Sequence, residues 1–189
     1  KEILKTTFKK AIDELTVTDK GTAEVKNYIS LKLSKPKIAE NQPFIVPKKS
    51  VFNKIIGDNP FELEFASFLE NRFDDVVSYA KNTMGEGGIN FKIEYQAQDG
   101  NIREYYPDFF VKTSDKTFYI VETKGREDLD DIHKIQRLFV WCKDINAAQK
   151  DYTYSPVYIK QEKWDDIKND FKSFAEVVKI FTVTENKEA

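Results

Sequence analysis

One histidine, one cysteine and one methionine are all that the 189 residues hold of those types, and the shortages exclude more chemistry than any single motif. With His133 alone, a histidine base beside histidine metal ligands cannot be assembled, zinc sites built from several His or Cys are excluded, and a serine or cysteine triad has no second histidine to draw on. The lone Cys142 cannot form an internal disulfide, which points to a cytosolic setting. No apolar run approaches the roughly 18 residues of a membrane helix, and no basic-then-apolar leader opens the chain, so neither membrane nor secretion is expected. A Gly-x-x-x-x-Gly-Lys-Ser/Thr phosphate loop is missing, so this stretch is not expected to hydrolyse ATP. The only methionine is Met84 and the chain starts at Lys1, as expected of a piece of a longer polypeptide.

What is present is charge, 33% of residues, against 40% hydrophobic, the balance of a globular domain. The net charge of −2 conceals an asymmetry. Residues 1–54 carry twelve lysines against six acids, a net +6, which leaves −8 for the remainder. A basic arm thus precedes an acidic core that would need cations to accept a polyanion. The plainer reading of the arm is a solvated, lysine-rich pair of helices.

Apolar spacing predicts helices over residues 1–17 and 22–33, then an irregular stretch between Pro36 and Pro47. The expected division is a helical, basic arm with its Pro-containing linker over 1–50 and a second, mixed α/β domain over 51–189. Within the latter, a short helix is expected around 49–56 and a capped helix from Asn59-Pro60 to about Arg72. Strands are expected over 76–80, 89–95, 103–112 and 117–123. A helix over 129–146 presents Leu129, Ile132, Ile135, Phe139 and Cys142, followed by a strand at 157–159, a helix over 164–178 and a last strand over 179–183. This order predicts an α/β fold, a mixed β-sheet flanked by helices.

The chemistry concentrates in Pro107-Asp108 and Glu122-Thr123-Lys124, separated by a polar turn at Ser114-Asp115-Lys116. An antiparallel hairpin centred on Asp115 brings the seventh residue before it opposite the seventh after it, so Asp108 faces Glu122. Lys124 then shares the face of Glu122. Two carboxylates about 5 Å apart repel by roughly 3 kcal/mol at an effective dielectric near 20, so they call for a proton or a cation. Oxygen donors select Mg²⁺, with Mn²⁺ as a substitute, and the backbone carbonyl of Thr123 lies between the two side chains. Such an ion polarises a phosphate oxygen and acidifies water, while Lys124 orients the water or stabilises developing negative charge. Asp108, Glu122 and Lys124 are therefore the candidate catalytic residues. Lys134 and Gln136, on the edges of the following helix, are weaker candidates for DNA contact, and solvated border positions are the commoner outcome. Tyr105, Tyr106, Phe109, Phe110, Trp141 and Cys142 read as packing residues.

These motifs, with the order of strands and helices, resemble the PD-(D/E)XK nuclease superfamily. The wider string Tyr105-Tyr106-Pro107-Asp108-Phe109, Val121-Glu122-Thr123-Lys124-Gly125 and Trp141-Cys142 is similar to the C-terminal endonuclease region of type III restriction enzyme Res subunits. The resemblance covers about residues 48–160. It implies a restriction-endonuclease-like core and a further acid on the helix before the sheet, where Glu64 matches best and Glu62 competes. It also implies Mg²⁺-dependent cleavage of double-stranded DNA in a prokaryotic cytoplasm. ATP would enter only through a helicase-like motor preceding this region, and a methyltransferase subunit would choose the DNA site. Two alternatives stay open: a catalytically silent nuclease fold used for DNA binding or docking, and a repair or recombination nuclease with the same core.

Overall fold

The computed structural model describes residues 25, 29–31, 34, 35, 37, 39–113 and 116–184. The expected helices over 1–17 and 22–33 lie almost wholly outside these residues, as do Ser114 and Asp115 of the expected turn. The described chain is mixed α/β. A two-stranded ribbon, β1 (Phe44–Ile45) and β2 (Ile55–Ile56), leads into α1 (Pro60–Asn71) and β3 (Val76–Lys81). A hairpin of β4 (Ile93–Gln96) and β5 (Ile102–Tyr105) follows, then β6 (Phe109–Thr113) and β7 (Thr117–Lys124). The chain continues through α2 (Asp131–Ala148), β8 (Thr153–Lys160), α3 (Gln161–Ile167) and α4 (Phe174–Phe181).

Four strands form the central sheet in the order β3-β6-β7-β8, antiparallel except for the parallel pair β7 and β8. A parallel pair needs a crossover, and α2 supplies it. Pro156 lacks an N–H and is accommodated because β8 lies at the sheet edge. Successive strand residues face opposite sides, so Val121 and Ile120 enter different cores. On the Val121 side, Phe61, Phe65, Ala66 and Leu69 of α1 pack with Trp164 of α3 and with Phe174, Val177 and Phe181 of α4. On the Ile120 side, Leu138 and Cys142 of α2 pack with Ile93, Tyr95 and Tyr105 of the hairpin. Helices thus cover both faces of a mixed sheet.

Several expected elements differ. Residues 49–56 form no helix; Ile55–Ile56 pairs with Phe44–Ile45 instead, and Ser50 bridges to Tyr79. The strand expected from Ile89 starts at Ile93, because Asn90 takes a positive φ of 54° and its side chain bonds back to Gly85 and Gly88. Expected strand 103–112 is two strands, interrupted at Pro107, which has no N–H to give a ladder. The single helix expected over 164–178 breaks in two. Asp75 caps the second piece from outside, accepting from the Phe174 and Ala175 amides at 2.8 Å each. That helix continues through Phe181, so no strand spans 179–183; only Thr182 bridges to Val157. Leu129, expected on the buried face of α2, precedes the helix and is 77% exposed, while Leu138 fills the core in its place.

Candidate active site

The β6–β7 ladder pairs Phe109 with Val121, Phe110 with Ile120 and Thr113 with Thr117. This register is the one expected from a hairpin centred on Asp115; Asp108 lies one residue before β6 and Glu122 one residue after Val121, near enough for the Asp108 charge to act on Glu122. Asp108 is anchored on its other side by Asn82, which follows β3. The Asn82 amide N–H donates to the Asp108 carbonyl at 2.7 Å, and its side-chain amide donates to the carbonyls of Pro107 and Phe91, each at 2.8 Å. Asn82 is buried, so these bonds set the position of the Pro-Asp segment with little competition from water.

The Asp108 carboxylate is held from two directions. Its Oδ2 accepts from the Thr123 amide at 2.8 Å and the Thr123 hydroxyl at 2.6 Å, while Oδ1 accepts from Lys81 Nζ at 3.2 Å. Lys81 was not anticipated from the sequence. Its side chain is only 4% exposed and lies 3.0 Å from Glu62 Oε2 and 3.4 Å from Asp58 Oδ2 as well. Burial alone would lower its pKa, and the charges of Asp108, Glu62 and Asp58 overcome this and raise it. The available signal was its place in an apolar strand: Lys81 shares the pleat of buried Tyr79, where a lysine requires acidic partners.

The acid that α1 contributes is Glu62. It is 4% exposed and closes a capping box: its amide donates to Asn59 Oδ1 at 3.0 Å, and its carboxylate accepts from the Asp58 amide and the Asn59 side chain, both at 2.8 Å. Desolvation and then the Asp108 charge raise its pKa, with Lys81 opposing. Glu64 is not brought to Asp108. It accepts from the buried Trp164 indole N–H at 2.8 Å and pairs with Lys168 at 2.9 Å, on the side of α1 that meets α3. Two helix residues separated by one other lie about 200° apart around the axis, so only one of the two glutamates can turn toward the sheet end.

Glu122 meets a different neighbour. Its Oε2 accepts from the Tyr105 hydroxyl at 3.0 Å, which gives that packing aromatic a polar duty beyond filling the core. Desolvation and the Asp108 charge push the Glu122 pKa well above the usual carboxylate range, against the opposing effects of Tyr105, Lys124 and Lys81. Lys124 turns to the start of α2, 2.9 Å from Asp131 Oδ1 and 3.2 Å from Asp128 Oδ2. Lys134 reaches the same pair, at 3.0 Å and 3.1 Å, so it belongs to this ion network and not to an outward surface. Burial lowers and the two aspartates raise the pKa of both lysines, with a net rise. Asp128 is held down at about 2: burial raises it, and Lys134 and Lys124 outweigh that. Gln136 is exposed on α2, and His133 is half-buried.

Asp108, Glu122 and the Thr123 backbone present hard oxygen donors, a set that fits Mg²⁺ or Mn²⁺ in kind. Among the described residues no group of three or more His, Cys, Asp or Glu side chains is arranged to hold a metal, and Lys81 stands between Asp58, Glu62 and Asp108. Among these residues, too, no helix is long and apolar enough to cross a membrane. Comparison with family models, with curated proteins and with solved structures finds no match for the chain.

Proposed function

We propose that this chain is a divalent-metal-dependent DNA endonuclease domain of the PD-(D/E)XK kind, with a restriction-endonuclease-like core. In this reading it is the cleavage module of a type III restriction enzyme, working with a helicase-like motor and a methyltransferase subunit. The observation that supports this reading is the placement of two acids at one end of the β6–β7 hairpin: Asp108, held by Thr123 and Lys81, and Glu122, held by the Tyr105 hydroxyl, with the Asp108 charge acting on Glu122. Carboxylates gathered in this way call for a proton or a cation.

Asp108 and Glu122 would hold the ion, with the Thr123 carbonyl as a backbone donor. Mg²⁺ or Mn²⁺ bound there supplies positive charge against the scissile phosphate and lowers the pKa of water. Thr123 and Lys81 keep Asp108 oriented through both of its oxygens. Lys124 carries a raised pKa and is charged at neutral pH, so its part is electrostatic: it stabilises negative charge developing on the phosphate and does not serve as a base. Glu62 takes the place of Glu64 as the helix acid nearest the pair. Asp108→Ala and Lys124→Ala, each tested in the intact enzyme, should abolish DNA cleavage while folding and DNA binding persist. Cleavage surviving either change rejects the role given to that residue.

A second reading, a nuclease fold that docks DNA or protein without chemistry, is favoured by one observation: an internal ammonium, Lys81, already neutralises part of the carboxylate cluster. Calorimetric titration with Mn²⁺ separates the two. Absence of binding, with and without DNA, selects the silent module. A repair or recombination nuclease would share the metal dependence and differ in the domains joined to this one.

A further inference from the structure

Three separate places in the fold send a carboxylate to Lys81: Asp58 from the turn before α1, Glu62 from the first turn of that helix, and Asp108 from the residue before β6. A buried ammonium needs a partner, and one carboxylate balances its charge. Here three converge on a side chain that is 4% exposed, and one of the three is half of the Asp108 and Glu122 pair. Two of these acids also have fixed positions without the lysine. The capping box holds Glu62, and Thr123 holds Asp108 by its other oxygen. The lysine therefore balances charge among acids that the backbone has already gathered.

We propose that Lys81 is a positioning residue that stands in for the divalent cation: its ammonium balances the charge of the Asp58, Glu62 and Asp108 carboxylates while no metal is bound, and competes with the metal for Asp108. This rests on the metal-dependent reading given above. The lysine sits at the end of β3 on a flexible four-carbon stem, so its charged head can withdraw from Asp108 while staying with Asp58 and Glu62. A purely structural tie behaves differently, because its removal loosens the acids and leaves metal affinity the same or weaker.

The test is Lys81→Met in the 189-residue chain, with Mn²⁺ binding followed by calorimetry and paramagnetic resonance, and thermal unfolding with and without Mn²⁺. Without metal the variant should melt below the wild type. Its Mn²⁺ affinity should rise about tenfold or more as a like charge leaves the site, and Mn²⁺ should restore most of the lost melting temperature. Lys81→Arg should return the affinity to within about threefold of the wild type. A Lys81→Met affinity equal to or below that of a metal-binding wild type overturns the stand-in role and leaves the nuclease reading in place. Binding by Lys81→Met alone supports the stand-in role and rejects metal-dependent activity in the native chain. Failure of both proteins to bind rejects both. If Lys81→Met does not fold without metal, refolding in Mn²⁺ becomes the readout: recovery of the native melt supports the proposal, and no recovery overturns it.

Discussion

Glu122→Gln should make the metal-free protein more stable, because the native carboxylate occupies a place that disfavours its charge. The amide keeps the side-chain volume and an oxygen that accepts from Tyr105, so that hydrogen bond, worth about 1 kcal/mol net, survives. What disappears is the ionised form, which desolvation and Asp108 both oppose. A like charge within about 8 Å costs roughly 2 kcal/mol or more at an effective dielectric near 20. Tyr105, Lys124 and Lys81 return part of that, and the expected net gain at neutral pH is about 1–2 kcal/mol.

The pH dependence follows from the direction of the shift. The folded protein retains the Glu122 proton to higher pH than the unfolded chain, whose ordinary value is 4.5. Wild-type stability from this group is therefore complete below 4.5 and is lost as pH rises through the raised folded value, whereas the Gln variant has no such loss. The two proteins should converge near pH 4 or below and diverge to a plateau at higher pH. Urea unfolding followed by fluorescence of Trp164, which is fully buried, gives the difference at each pH. A Gln variant less stable than the wild type at neutral pH, or a difference independent of pH, would refute the reasoning.

Replacing Glu64 with Gln keeps an acceptor for the Trp164 indole and loses only a part-exposed pair with Lys168. Stability should fall by less than about 1 kcal/mol, and Mn²⁺ affinity and cleavage should be unchanged, whereas Glu62→Gln should alter both; the reverse pattern in calorimetry and cleavage assays would restore Glu64 to the site. Asn82→Ala removes two buried donor contacts to the Pro107 and Phe91 carbonyls and should cost about 2–3 kcal/mol in chemical denaturation. Wild-type stability there would show that Asn82 does not brace the Pro-Asp segment. Trp164→Ala empties a site surrounded by Phe61, Phe65, Phe68 and Phe171 and should cost about 3–5 kcal/mol by the same measurement, with a loss under about 1 kcal/mol arguing against a packed aromatic core.

Local geometry decided what could be read in advance. The β6–β7 register was legible because a short hairpin constrains its own pairing, and strand alternation carries that constraint to every residue on either side. The start of α1 was legible for the same reason: Asn59 caps it and Pro60 opens it. Where apolar spacing alone was the guide, the outcome depended on distant partners. The break between α3 and α4 is stabilised by Asp75, about a hundred residues earlier, and no local pattern foretells that contact. Residues 179–183 carry enough β-branched and aromatic character for a strand, yet most belong to a helix whose Phe174, Val177 and Phe181 face the core at helical spacing.

The candidate site divides along the same line. The sequence by itself narrowed the chemistry open to this chain, since a single histidine and a single cysteine leave no multi-His or multi-Cys metal site, and hairpin spacing was enough to set the β6–β7 register beside Asp108 and Glu122. Only the tertiary structure decided the neighbours. The rotation of α1 against the sheet turned Glu62, and not Glu64, toward Asp108, and the end of β3 delivered Lys81 into the same space. The start of α2 drew Lys124 and Lys134 onto Asp128 and Asp131. Pairing across a hairpin is set by neighbours in the chain, whereas the side of a helix that meets a sheet is set by how the whole core packs.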